Sequence, residues 1–308
     1  VQVQSFAYAT NDEINDMTFY RYKLINKAKE DLIDCYFSMW VDPDLGCYQD
    51  DRIGCDVERS LAYVYNEDDI DGIGATSACA GTPTYGTKIP VVGIDYFRGP
   101  LGPRVFKRDD DGNLILDTDG NPILLEPEPF TGALDTLIEL GMTSFTYAEN
   151  LSIGSPVPGT GDPQRGREDG FYNYIRGLWG DGTPVTYGGI GYNTGSTDTI
   201  RYAFPSTPND RNPDAWSMCS VNMPFGDRRT MQATGPLLLQ PGAQNELIIG
   251  VVFVPDVIHP CPDISRLRAA DDIAQALFDN CLDITEGPDA PDLTPVELDR
   301  ELVLLLSN

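Results

Sequence analysis

Three acidic segments constrain this chain more than anything else in it. They are WVDPDLGCYQDDRIGCD (40–56), YNEDDIDG (65–72) and DDDGNLILDTDGNP (109–122), set between short strand-like runs. Carboxylates spaced this closely repel one another, so a fold that gathers them must place cations or water among them. The first segment supplies Asp42, Asp44, Asp50, Asp51 and Asp56. The second supplies Asn66, Asp68, Asp69 and Asp71, and its position predicts a return to the same end of a sheet. Hard oxygen donors with Gly and Asn at the turning points suit calcium, so these nine residues are the candidate ligands. The third segment begins like an EF-hand loop, but the twelfth position counted from Asp109 is Gly120 where that loop needs Glu. Its Asp-Gly-Asn steps at 111–113 and 119–121 read instead as hairpin turns of a small meander over 107–125.

The charge is acidic throughout: 48 Asp and Glu stand against 21 Lys and Arg, for a formal net charge of −27. Such a field disfavours nucleic acid and anionic membrane surfaces and attracts divalent cations. A plain solvated acidic surface accounts for the same number. No apolar run approaches the ~20 residues that span a bilayer, so no membrane insertion is expected. The chain starts at Val1 without an initiator Met or a basic leader, which reads as a mature or excised N-terminus.

Short strands dominate the pattern. Thr18–Ile25 alternates, with Tyr20, Tyr22 and Leu24 on one face and Arg21 and Lys23 on the other. Cys35–Val41 is apolar on both faces and reads as a central strand; Leu61–Tyr65, Ile89–Phe97 and the buried run Glu246–Val254 follow. With 30 Gly and 24 Pro, turns and long loops are expected rather than a helical bundle. A loop-rich insertion is expected near 151–213. One helix is expected near the C-terminus, capped by Asp263, with Ile264, Leu267, Ile273, Leu277 and Phe278 as its apolar stripe. These elements predict a mainly β chain: a β-sandwich of jelly-roll or immunoglobulin-like kind over 1–260, a helix and connector over 261–285, and a linker with the first strand of a following module over 286–308.

Seven cysteines, no C-x-x-C pair and the single His259 argue against structural zinc and for disulfides in an oxidising compartment. A helix between Cys261 and Cys281 holds them too far apart to bond to each other. Cys219 is a candidate partner for one of them, while Cys47, Cys55 and Cys79 compete within the acidic region. His259 and Cys261 lie on one strand face but beyond hydrogen-bond reach, so the run IHPCP (258–262) reads as a rigid linker and not a nucleophile–base pair. No G-x-S-x-G elbow is present, and no two carboxylates stand out as a glycosidase pair. Tyr172, Tyr174, Trp179, Tyr187 and Tyr192 lie in a Gly-rich stretch expected to be loop, where they either stack on sugar rings or fold back over a sheet edge.

Six stretches resemble large secreted proteins exported by the bacterial type IX secretion system. They are FYRYKLINKA (19–28), the 40–56 segment, YVYNEDD (63–69), IPVVGIDYFRGPLG (89–102), GDRRTMQATGPLLLQPG (226–242) and NELIIGVVFVPD (245–256). The segment PDAPDLTPVELDRELVL (288–304) looks like the lead-in to a fibronectin type III-like domain. The resemblance implies export and an extracellular or cell-surface location, and it implies no catalytic residues. The expected role is a non-catalytic structural or adhesive module with calcium-stiffened acidic loops. Its expected partners are other domains of the same polypeptide, a glycan or further copies of itself. Glycan binding through the loop aromatics is the alternative, and a glycoside hydrolase-like enzyme the more distant one.

Overall fold

The computed structural model of the chain describes residues 1–72, 79, 81, 83–104, 115, 118, 136–149, 168–224, 226–280, 292–298 and 301–307. The meander expected over 107–125 and the first part of the 151–213 insertion lie outside these residues. There are two compact units, 1–274 and 275–308.

In chain order the first unit carries β1 (Gln2–Phe6), β2 (Met17–Ile25), β3 (Leu32–Val41), β4 (Asp51–Asp56), β5 (Leu61–Asn66), β6 (Val91–Arg98), β7 (Leu101–Arg104), β8 (Thr136–Glu139), β9 (Ser144–Glu149), α1 (Glu168–Ile175), β10 (Arg228–Leu239) and β11 (Gln244–Val254). The helix α2 (Ser265–Asp279) begins in this unit. One sheet has the order β1-β2-β11-β6-β5-β4 and a second has β3-β10-β9; β7 pairs with β8. All these pairings are antiparallel. The chain is therefore mainly β, a sandwich with long loops and a helix near its C-terminal end. The pairs β2–β11 and β3–β10 are nested, one in each sheet, as the outer strands of a jelly roll are.

Apolar alternation builds the core. Ile53, Val64, Ile94, Leu247 and Ile249 of the larger sheet meet Phe145, Tyr147, Met231 and Leu237 of the smaller one. Two buried polar side chains tie the layers: Tyr96 Oη donates to the Gln232 carbonyl at 2.8 Å, and Gln232 Nε2 donates to the Ile94 carbonyl at 3.2 Å. On the other face of the larger sheet, Phe19 and Phe97 pack together and Leu267 of α2 lies over Gly93 of β6. Central strands are thus covered on both sides, which is why β11 carries almost no polar residue after Glu246.

Three expectations need correction. Cys35–Val41 is not central: β3 has β10 as its one sheet neighbour among the described residues. Its outward face is apolar because α1 covers it, with Phe171 against Trp40 and Tyr172 against Tyr36. The stretch 168–175, expected as loop, is helix. In α2 the cap is as expected, with Ser265 N donating to Asp263 Oδ1 at 2.8 Å. Ile273, however, points outward, while Ile264, Leu267 and Leu277 are buried as expected and Ala270 and Ala274 are buried with them. A helix packed closely on a sheet takes alanines where the sequence pattern favoured a larger side chain.

In the second unit, β12 (Asp292–Leu298) and β13 (Glu301–Ser307) form an antiparallel hairpin, with Asp292 opposite Ser307 and Leu298 opposite Glu301. The run Val296–Leu306, expected as one strand, is folded back on itself. Each half pairs with one backbone edge of the other.

Gly250 tests the packing at the centre of β11. A Cβ placed there lies 2.1 Å from the Phe97 ring, which is itself buried against Phe19. Gly250→Ala is expected to destabilise the chain by roughly 1–3 kcal/mol in denaturant unfolding. A neutral result would mean that these rings are not packed as described.

Candidate metal centre

The β4–β5 hairpin decides where the acidic residues go. Asp51 and Asn66 are direct partners at its open end, so the turn before β4 and the turn after β5 lie side by side. Glu67 N donates to the Asp50 carbonyl at 2.7 Å and closes the junction. The disulfide Cys47–Cys79 staples it from outside, with Cα atoms 5.6 Å apart. Here the expectation that the two acidic segments share one end of the sheet matches the fold.

Within this hub the carboxylates first serve the backbone. Asp51 Oδ2 accepts from Leu45 N at 2.8 Å and Asp50 Oδ2 from Gly72 N at 2.8 Å. Asp71 Oδ1 accepts from Cys47 N at 2.9 Å, and its other oxygen accepts from Tyr85 N. Gly46 is required beneath it: its φ is +78° and a Cβ would fall 1.9 Å from Asp71 Oδ2. Asp68 Oδ1 accepts from Ile70 N at 3.2 Å and Asn66 Nδ2 at 3.1 Å.

These bonds leave acceptors over. Asp50, Asp51 and Asn66 are 0%, 2% and 0% exposed, and the Oδ1 of each has no hydrogen-bond partner. Burial pushes the Asp50 carboxyl up to about 6, with Asp71 and Asp68 adding to it against the Gly72 N–H. Burial likewise holds Asp51 well above the usual carboxylate range, reinforced by Asp50, Asp71 and Asp44. Neither carboxylate forms an ion pair among the described residues. The nearby Arg228 donates to the Asp51 backbone carbonyl at 2.9 Å and pairs with Glu149.

The other expected ligands are not brought into this group. Asp56 is at the far end of β4, about 17 Å away along the strand. It is already bound by Arg268 at 2.7 Å and Arg59 at 3.4 Å. Asp69 is exposed. Asp42 and Asp44 join Asp227, which the sequence reading did not single out, in a surface triad whose carboxylate oxygens lie within 4.8 Å of one another. Arg229 reaches into that triad, 2.9 Å from Asp42 and 3.2 Å from Asp227. A guanidinium thus pairs there with the carboxylates, as none does with Asp50 or Asp51 among the described residues.

The aromatic stretch is divided. Tyr174 and Trp179 are fully buried core residues, Trp179 standing edge-on to Tyr147 and donating through Nε1 to the Gly191 carbonyl at 2.7 Å. Neither is available to stack on a sugar. Tyr172 and Tyr187 are exposed, but their hydroxyls are tied to the carbonyls of Asp34 and Asp214, and the Tyr192 hydroxyl donates to Asp181 at 2.9 Å. An aromatic surface occurs elsewhere. Tyr20, Tyr22, Trp40, Tyr85 and Phe253 line an open cleft of about 530 Å³ where the two sheets part, with Asp42 and Asp44 among its lining residues.

Two further groups complete the chemistry. Cys261 is bonded to Cys219, so beside His259 there is no thiol to activate. His259 itself is buried, which lowers its pKa, and its Nδ1 lies 2.9 Å from the Val257 carbonyl. Cys35 and Cys55 are free thiols, and Cys281 lies outside the described residues. Asp95 of β6 and Asp271 of α2 are a buried carboxylate pair beside Asp56 and Arg59. Burial and then Asp271 raise Asp95 well above its usual range; burial and then Asp272 push Asp271 up to about 7. A sequence signal for this pair did exist, since Asp95 interrupts the apolar run VVGIDYF (91–97).

Two outcomes follow from these placements. Trp179→Ala is expected to cost roughly 3–5 kcal/mol in chemical denaturation, as core truncation does. The folded chain keeps the Asp271 proton up to about pH 7, whereas the ordinary carboxyl releases it near 3.8. This contribution to stability is therefore present at low pH and lost as pH rises from about 4 through 7. Asp271→Asn removes it, so calorimetry should find the variant more stable than the parent at pH 8 and the difference reduced or reversed at pH 4. Comparison with family models, curated proteins and solved structures found no match for this chain.

Proposed function

We propose that this chain is a non-catalytic structural or adhesive module of an exported, cell-surface protein, with its acidic turns stiffened by calcium. The observation that carries this reading is the β4–β5 hub, where carboxylates from two segments are buried together, stapled by a disulfide, with Asp50 and Asp51 in no ion pair among the described residues. Outside the cell calcium is at millimolar concentration, and extracellular modules bind it with Kd of ~10⁻⁴–10⁻³ M. Bound there, a divalent cation cancels the repulsion, orders the turns and fixes the surface beside them. The two disulfides fit the same compartment. They close separations of 32 and 42 residues, for a chain-entropy contribution of about 4 kcal/mol each. The resemblance to type IX secretion substrates supports the location and leaves the partner to the surface itself.

Glycan recognition is the second reading, and the inter-sheet cleft is what favours it. Tyr20, Tyr22 and Tyr85 line it with rings, and Asp44 offers a carboxylate to sugar hydroxyls. The two readings separate in one set of measurements. For a calcium-stiffened module, 10 mM calcium should raise Tm over the chelator-treated protein by roughly 5–10 °C. An unchanged Tm would remove calcium from the account. For glycan recognition, a glycan array should give a signal that Tyr85→Ala abolishes. An array without signal leaves only the structural role.

A further inference from the structure

Three features stand outside what has been assigned: the inter-sheet cleft, the Asp95–Asp271 pair and the orphaned oxygens of the acidic hub. The last carries an inference furthest, because its chemistry specifies the ligand. We infer that Asp50 Oδ1, Asp51 Oδ1 and Asn66 Oδ1 are three ligands of a single calcium ion. The assignment rests on the calcium reading above and says where the ion binds.

Three observations converge. All three residues are more than nine-tenths buried, and in each the same kind of atom, a side-chain oxygen, is left without a donor. A buried acceptor without a partner costs about 1–3 kcal/mol, and more when charged, so three together are a standing cost that a cation removes. Placement is the second observation. Asp51 and Asn66 are directly opposed across the hairpin, so their side chains emerge on one face, and Asp50, the residue before β4, is tied to the segment after β5 by Glu67 N on its carbonyl and Gly72 N on its carboxylate. Each carboxylate is held by its other oxygen to a turn amide, Leu45 N or Gly72 N. The donors are therefore positioned before any ion arrives. The third observation is charge. Asp42, Asp56, Glu67, Glu149 and Glu246 each have an arginine within 3.5 Å, whereas Asp50 and Asp51 pair with none among the described residues.

The donor set selects the metal class. All three atoms are hard oxygens, two of them anionic. The cysteines that border the hub, Cys47 and Cys79, are joined in a disulfide and do not ligate. That excludes a zinc or copper preference and fits calcium, whose remaining positions backbone carbonyls or water complete. The surface triad Asp42–Asp44–Asp227 is the more obvious cluster, but Arg229 already neutralises it.

The test uses the whole 308-residue chain, stripped with chelator and titrated with calcium chloride by isothermal calorimetry. Asp51→Asn is the informative variant. Its amide oxygen still accepts from Leu45 N, while its NH₂ faces the position of the ion. Asp50→Asn does the same at Gly72 N, Asn66→Ala removes a neutral ligand, and Asp44→Asn is the surface control. One site is expected in the parent protein, weakened at least ~10-fold by each hub variant and unaffected by Asp44→Asn. Circular dichroism in chelator should show each hub variant folded, because losing a buried charge does not harm the ion-free state. Should one variant fail to fold, the other two still decide the matter. Calcium binding that survives the hub variants and disappears in Asp44→Asn would overturn the assignment and leave the calcium reading intact. No binding to the parent protein at all would overturn both.

Discussion

Burying like charges together is the constraint on which the rest of this structure turns. The β4–β5 hairpin carries one such cluster at each end. At the closed end, Asp56, Asp95 and Asp271 meet where β4, β6 and α2 come together, and Arg59 and Arg268 stand beside them. At the open end, Asp50, Asp51, Asp68 and Asp71 meet without an arginine paired to them among the described residues. The first cluster offsets its cost by ion pairs and retained protons. The second offsets part of it by accepting turn amides, and the Oδ1 atoms of Asp50, Asp51 and Asn66 are left without a donor.

The sandwich makes this arrangement necessary. Nested pairing of β2 with β11 and β3 with β10 places β4, β5 and β6 at one side of the larger sheet. The connection between β4 and β5 is short, and at their other end the connections before β4 and after β5 lie side by side and bring their carboxylates close. The disulfides sit at the two places where long connections return to the sandwich. Cys47–Cys79 closes the acidic hub, and Cys219–Cys261 ties the segment before β10 to the approach of α2.

Much of the fold was legible in the residues, for identifiable reasons. Strict alternation in Thr18–Ile25 and the continuous apolar run of Glu246–Val254 correspond to β2 and β11, because covered strands must be apolar wherever they face protein. Asp263 as a helix cap was legible for the same local reason. The failures are equally physical. An apolar edge strand such as β3 reads as central when a neighbouring helix covers its outer face. FYNYI (171–175) reads as loop because its glycine-rich surroundings hide that α1 finds partners in Trp40 and Tyr36. For Trp179 and Tyr174 the sequence leaves both stacking on a ligand and folding back over a sheet edge open, since Gly-rich flanks do not reveal that the chain folds inward there.

The acidic segments show the division most clearly. The linear pattern alone established that carboxylates would be dense at the turns around β4 and β5, that the chain was β-rich, and that oxygen chemistry rather than thiolate or imidazole chemistry was on offer. It did so because those properties depend on residue type and spacing. Which acids share a site was decided only in three dimensions. Hairpin register set Asp51 against Asn66 and carried Asp56 a strand's length away, and packing of β10 delivered Arg229 to Asp42 and Asp227 but no guanidinium to Asp50. Electrostatic pairing depends on distances of a few ångströms between residues far apart in the chain, and those distances exist only once the sheets have formed.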